Sequence, residues 1–128
     1  MYGKKMRRIK LFEGFNDGMT EQEIRGALVE LQDVGYDVLV TKVDSKLVNA
    51  YHVGISAGDE LFDIANVSEP ILELIAYYEE KFGDKFIYSI EYIDLNLSDD
   101  TEIEDLEQFV KDNPLEDTYE VIISLRLK

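Results

Sequence analysis

Near the C-terminal end of the chain Tyr119, Val121, Ile123, Leu125 and Leu127 occupy every second position, and Glu120, Ser124 and Arg126 fall between them. Side chains of a β-strand point alternately to its two faces, so this stretch predicts a strand with one face buried and one in water. A sheet wet on one side is characteristically antiparallel, and something must cover its other side. Two helical stripes supply that cover. Thr20 to Val34 repeats Ile24, Ala27, Leu28, Leu31 and Val34 at helical spacing. Thr20 and Glu23 form a capping-box pair at its start, and Gly35 supplies a terminating residue. Ser68 to Phe82 repeats Ile71, Leu74, Ile75, Tyr78 and Phe82, with Ser68 as cap, Pro70 in the first turn and Gly83 at the end.

Between these elements the pattern has period two. Tyr36 to Val43 and Val48 to Ile55 read as a hairpin turning at Asp44-Ser45-Lys46, and Leu61 to Ile64 is a short third candidate. Lys85 to Leu97 is a long strand whose apolar phase changes from Phe86, Ile90 and Tyr92 to Ile93, Leu95 and Leu97. That change requires a bulge near Tyr92-Ile93. Thr101 and Glu104 repeat the capping-box spacing and predict a third, short helix with Ile103, Leu106, Phe109 and Val110 apolar, stopped by Asn113-Pro114. The expected fold is α+β: a mostly antiparallel sheet of about four strands, the two main helices on one face, and a third short helix. Residues 1–15 form a basic N-terminal segment, and residues 16–128 one acidic domain.

Charge bounds the function. The 128 residues carry 28 acids against 13 bases, a net of −15. Five of those bases, Lys4, Lys5, Arg7, Arg8 and Lys10, lie in the first ten residues. The acids are densest from Asp94 to Glu120, where Lys111 is the one base. Such a body repels nucleic-acid phosphate and anionic lipid and attracts basic proteins. No cysteine is present, which excludes disulfides, thiolate metal sites and cysteine nucleophiles. The N-terminal stretch lacks the roughly 7–15 apolar residues of an export signal, so a cytoplasmic location is expected.

Candidate chemistry is sparse. His52, the one histidine, sits mid-strand out of phase with the apolar face, with no triad partner near it in sequence, and reads as a surface residue. Asp94, Asn96, Ser98, Asp100, Glu102 and Asp105 follow a calcium-loop spacing. Asp99 stands where that loop needs glycine, and Asp105 where it needs a bidentate glutamate. Gly54-Ile55-Ser56-Ala57-Gly58 lacks the lysine and spacing of a phosphate loop. Tyr77, Tyr78, Tyr88 and Tyr92 read chiefly as core. No cofactor and no metal are expected. The acids Asp99, Asp100, Glu102, Glu104, Asp105, Glu107, Asp112, Glu116 and Asp117 are the expected partner surface, because a density this high exceeds what helix capping requires.

Arg8-Ile9-Lys10-Leu11-Phe12-Glu13-Gly14-Phe15 resembles the openings of small proteins of large tailed bacteriophages, as does the helix, Gly-aromatic and strand order of Leu28 to Val38. Leu11-Phe12-Glu13-Gly14 is similar to the cleavage pattern of the head-maturation proteases of such phages. The resemblance implies removal of a head-targeting peptide between Glu13 and Gly14. The expected function is an acidic binding or inhibitory protein, phage-encoded, that engages a basic surface such as that of a nucleic-acid-handling host enzyme, with DNA mimicry as one form. The alternatives are a virion-associated head protein with a cleavable N-terminus, acting in the virion rather than the host cytoplasm, and a small enzyme without a recognisable motif.

Overall fold

In a computed structural model of the protein the structure describes residues 18–43, 49–94, 100–113 and 117–128. The basic segment, the cleavage pattern at Glu13-Gly14, the Asp44-Ser45-Lys46 turn, Asp99 and Glu116 lie outside them. Among the described residues the elements run α1 (Glu21–Ala27), α2 (Val29–Asp33), β1 (Asp37–Lys42), β2 (Ala50–Ser56), β3 (Phe62–Asp63), α3 (Ala65–Phe82), a 3₁₀ turn at Gly83–Lys85, β4 (Phe86–Asp94), β5 (Asp100–Ile103), α4 (Leu106–Asp112) and β6 (Asp117–Leu127).

The sheet is antiparallel throughout, in the order β1-β2-β6-β4-β5, and β3 adds on to the start of β6. It has six strands, not about four. The short candidate at Leu61 to Ile64 is present as the two-residue β3, and β5 is the strand that was not expected. β6 is central, and its alternation divides its faces: Val121, Ile123 and Leu125 are buried on one, while Ser124 and Arg126 pair across the other with His52 and Ile87 respectively. Val38, Val40, Tyr51, Val53, Ile55, Ile90 and Tyr92 share the buried face, and α1 and α3 cover it with Ile24, Leu28, Ile71, Leu74, Ile75 and Tyr78 in one continuous core. Tyr77, Tyr78 and Tyr92 are buried as well, because a tyrosine ring contributes more apolar area than most core side chains.

Three local expectations are corrected, and the expected bulge is found with its extra residue on the other strand. The first helix keeps its capping box, with Thr20 Oγ1 accepting from Glu23 N and Glu23 Oε1 from Thr20 N, but it divides at the fully buried Leu28. There Leu31 N bonds Leu28 O, a tightened i→i+3 turn. The second main helix begins at Ala65, so Ser68 is not its cap: its hydroxyl donates to Ala65 O, and Pro70 lies inside the helix. Thr101 does not cap a helix. Asp100 to Ile103 is a strand, with Ile103 buried opposite Ile90, and α4 starts at Leu106 with the Asp105 carboxylate accepting from Gln108 N. The single apolar residue Ile103, ahead of Leu106, Phe109 and Val110 at helical spacing, fits either a strand or a helix start, and pairing with β4 decides between them. The bulge falls at Ile93/Asp94, but the extra residue is on the partner strand: Ile93 faces Glu120 and Asp94 faces Thr118, which leaves Tyr119 over. Thr118 is buried in consequence, and Tyr119 leaves the apolar row.

Candidate functional site: an acidic, aromatic-floored depression

The turn after α2 sets the first wall. Gly35 has φ +107°, a left-handed conformation that glycine adopts without a Cβ clash. Its N–H bonds Gln32 O and the N–H of Tyr36 bonds Leu31 O, the paired bonds of a Schellman motif. This reversal leaves Val34 73% exposed and lays the Tyr36 ring edge-on against Phe62, with centroids 5.3 Å apart. The opposite wall comes from the turn after β2. Gly58 has φ +67°, Ala57 and Glu60 bridge, and Leu61 emerges 38% exposed. Between the two turns lies an open depression of about 690 Å³, with Tyr36 and Phe62 among its lining residues, Val34 and Leu61 at its sides, and Glu60, Asp63, Asn66 and Asp117 supplying its polar groups.

Asp63 and Asp117 face each other directly across the β3–β6 pair. Like charges at directly opposed positions oppose pairing, and this end of the sheet carries such an opposition. The same feature recurs at Glu91 and Glu102, opposed across β4 and β5.

The predicted partner residues divide between two places. Glu102, Glu104, Asp105, Glu107 and Asp112 are exposed along β5 and α4. Two of them have local work there: Asp105 caps α4, and Asp112 accepts from Gln108 Nε2 at 3.0 Å. Asp100 opens β5 opposite Ile93. Asp117 instead joins Glu60 and Asp63 in the depression. The depression itself was not anticipated. Its signals were Val34-Gly35-Tyr36 and Gly58-Asp59-Glu60-Leu61-Phe62, two glycine turns each carrying an exposed aliphatic residue and an aromatic one.

The remaining candidates carry no site. His52 is exposed on the open sheet face between Thr41 and Ser124. Among the described residues no group of three histidines or carboxylates is arranged to hold a metal ion, and no helix is long and apolar enough to cross a membrane.

A second polar group is closed rather than open. The Glu23 carboxylate, 3% exposed, takes the Tyr78 hydroxyl at 2.9 Å on Oε1 and lies 3.5 Å from Lys81 Nζ on Oε2. Lys81 rests against the rings of Phe82 and Tyr77, at 5.1 and 5.7 Å from their centroids. Burial pushes the Tyr78 hydroxyl well above the ordinary value of 10.0, and the neighbouring Glu23 carboxylate adds to the shift. The group joins α1 to α3 inside the fold and offers no opening to a substrate. Comparison with protein-family models, with curated proteins and with solved structures gives no match.

Proposed function

We propose that this chain is a binding protein that engages a basic surface of another protein and inhibits that protein by occupying it. The observation that carries the reading is the opposed Asp63–Asp117 pair beside exposed Val34 and Leu61 and the Tyr36–Phe62 floor. Apolar contact area supplies affinity, and the acids around it select a cationic partner and speed its approach. The acids of β5 and α4 extend the negative surface. On this reading the chain is the product of a large tailed phage, acting in the host cytoplasm on a nucleic-acid-handling enzyme whose phosphate-binding groove the acids enter in place of DNA phosphate.

The test is affinity capture from host lysate with the wild type, with Asp63→Asn/Asp117→Asn, and with a reversal of Glu107 and Asp112 to Lys. A basic partner is expected to be retained by the wild type, lost steeply as salt rises, and lost in the depression variant. Equal capture by all three proteins, or a complex indifferent to salt, overturns the reading, because exposed charges are screened within about 8 Å at physiological ionic strength.

A further inference from the structure

We propose that two copies of this chain pair edge to edge through β1, about a two-fold axis at Leu39, to make one continuous antiparallel sheet. The two ends of the sheet differ. β5 carries exposed Glu102, and exposed Glu104 and Asp105 follow it, charges of the kind that keep a strand edge from pairing with another chain. β1 pairs with β2 from Asp37 to Lys42 without a register shift, and its centre, Val38-Leu39-Val40-Thr41, has no charge, proline or bulge. Among the described residues no strand lies beyond it. The backbone groups that face outward follow from one bond. Val43 N donates to Ala50 O at 2.9 Å, which makes Val43 and Ala50 a hydrogen-bonded pair in the β1–β2 register. Such pairs alternate with non-hydrogen-bonded ones along an antiparallel ladder. Thr41, Leu39 and Asp37 therefore bond inward to β2, and Lys42, Val40 and Val38 turn their N–H and C=O groups outward.

Self-complementarity selects a second copy as the occupant. With the axis at Leu39, Val38 of each chain faces Val40 of the other, outward groups against outward groups, and each such pair exchanges both of its bonds. The edge carries Asp37 at one end and Lys42 at the other. In this register Asp37 faces the second copy's Thr41, one position from its Lys42, so opposite charges adjoin at both ends of the pairing. Leu39 is 66% exposed, and its neighbour on β2 is Gly54, which has no side chain to pack against it. The Glu120 carboxylate lies over that glycine, 2.9 Å from where a Cβ would stand. Apolar contact for Leu39 has to come from the outer side, and Leu39 of the second copy supplies it at the close spacing of a non-hydrogen-bonded pair, about 4.5 Å between Cα atoms. Val29 and Val34, also exposed, lie at the two ends of α2, which packs on β1, and add apolar surface to the same margin of the molecule.

The experiment uses the full chain. Sedimentation equilibrium is expected to give twice the 14.8 kDa of the chain, with association strengthening as salt rises, because two bodies of net charge −15 repel each other until screened. That salt response is opposite in sign to the one expected of a complex with a basic protein, so the loss of either result leaves the other standing. Because no cysteine is present, Leu39→Cys and Thr41→Cys each give a single thiol, both at exposed positions. Mild oxidation is expected to join Leu39→Cys into a disulfide dimer, since a non-hydrogen-bonded pair holds its Cα atoms within the range a disulfide spans. Thr41→Cys, which faces Asp37 in this register, is expected to stay largely unjoined. Leu39→Lys sets like charges against each other at the axis and is expected to be monomeric at concentrations where the wild type is dimeric, with the circular dichroism of the wild type. A monomeric wild type, a dimer that survives Leu39→Lys, or equal cross-linking at the two cysteine positions overturns the inference.

Discussion

Glu23→Ala should be among the most damaging single substitutions in the protein. Glu23 is 3% exposed and serves three groups at once: the Thr20 backbone N–H at 3.2 Å, the Tyr78 hydroxyl at 2.9 Å and the Lys81 ammonium at 3.5 Å. The Lys81 side chain retains only 13% exposure, so removing the carboxylate leaves a charge with little access to water. Breaking one half of a buried pair costs about 3–5 kcal/mol, most of it from the charge left behind. The loss of half the capping box and of the tyrosine's acceptor falls within that same sum, because all three contacts share one carboxylate. The double substitution Glu23→Ala/Lys81→Met removes both charges and should recover at least about 1–2 kcal/mol relative to Glu23→Ala, since apolar replacements of buried pairs are commonly tolerated. Urea unfolding of the four proteins, with unchanged slopes, gives the coupling directly. A Glu23→Ala variant within about 1 kcal/mol of wild type, or additive single effects, would show that the pair is solvated and that this account of α1 docking is mistaken.

Two further predictions concern the same core. Leu28→Ala and Leu74→Ala remove side chains that are 0% and 2% exposed, and each should lower stability by about 2–5 kcal/mol in urea unfolding; midpoints equal to wild type would mean that these faces are not packed. Tyr78 keeps its proton in the folded state well past its ordinary value of 10.0, so the folded chain binds more protons than the unfolded chain above that pH. Its stabilisation is thus intact below about pH 10 and declines as pH rises beyond, and Tyr78→Phe should flatten that alkaline decline; an identical slope in both proteins would contradict the assignment. Tyr51 and Tyr88, also raised chiefly by burial, contribute in the same direction.

Local patterns in the sequence were legible where a short stretch decides its own conformation. Thr20 and Glu23 bond each other across three residues, and Gly35 and Gly83 take positive φ at the ends of α2 and α3. Patterns that fit two conformations were decided elsewhere in the chain. Thr101 to Glu104 carries a helix-start spacing, yet Ile103 is recruited by Ile90 into a strand. The bulge could be located from the phase change in β4, but the extra residue, Tyr119, lies on β6, which no reading of β4 alone could assign. Glu23 was visible as a capping residue; its bond to Tyr78, 55 positions away, was not. The candidate site belongs to this second class. Tyr36 and Phe62 meet only because two glycine turns are folded against each other, and Asp117 was grouped with Asp112 by sequence but is placed beside Asp63 by pairing.

The central position of β6 has a consequence for the order in which the protein can assemble. β6 follows every other strand in the chain, yet β2, β3 and β4 all pair with it. A polypeptide is made from its N-terminal end at about 5–20 residues per second, so β2 waits roughly 4–14 seconds from its own synthesis to that of its inner neighbour. During that interval the edge of β2 is open as well as that of β1, and Val53 and Ile55 lack the side chains of Val121 and Ile123 that lie opposite them in the finished sheet. An unpaired edge of β-branched residues is a template for association with other chains. Sheet formation here is a late closing step set by contacts distant in sequence, which is the slow regime of folding, and the yield of refolding should fall as the protein concentration is raised.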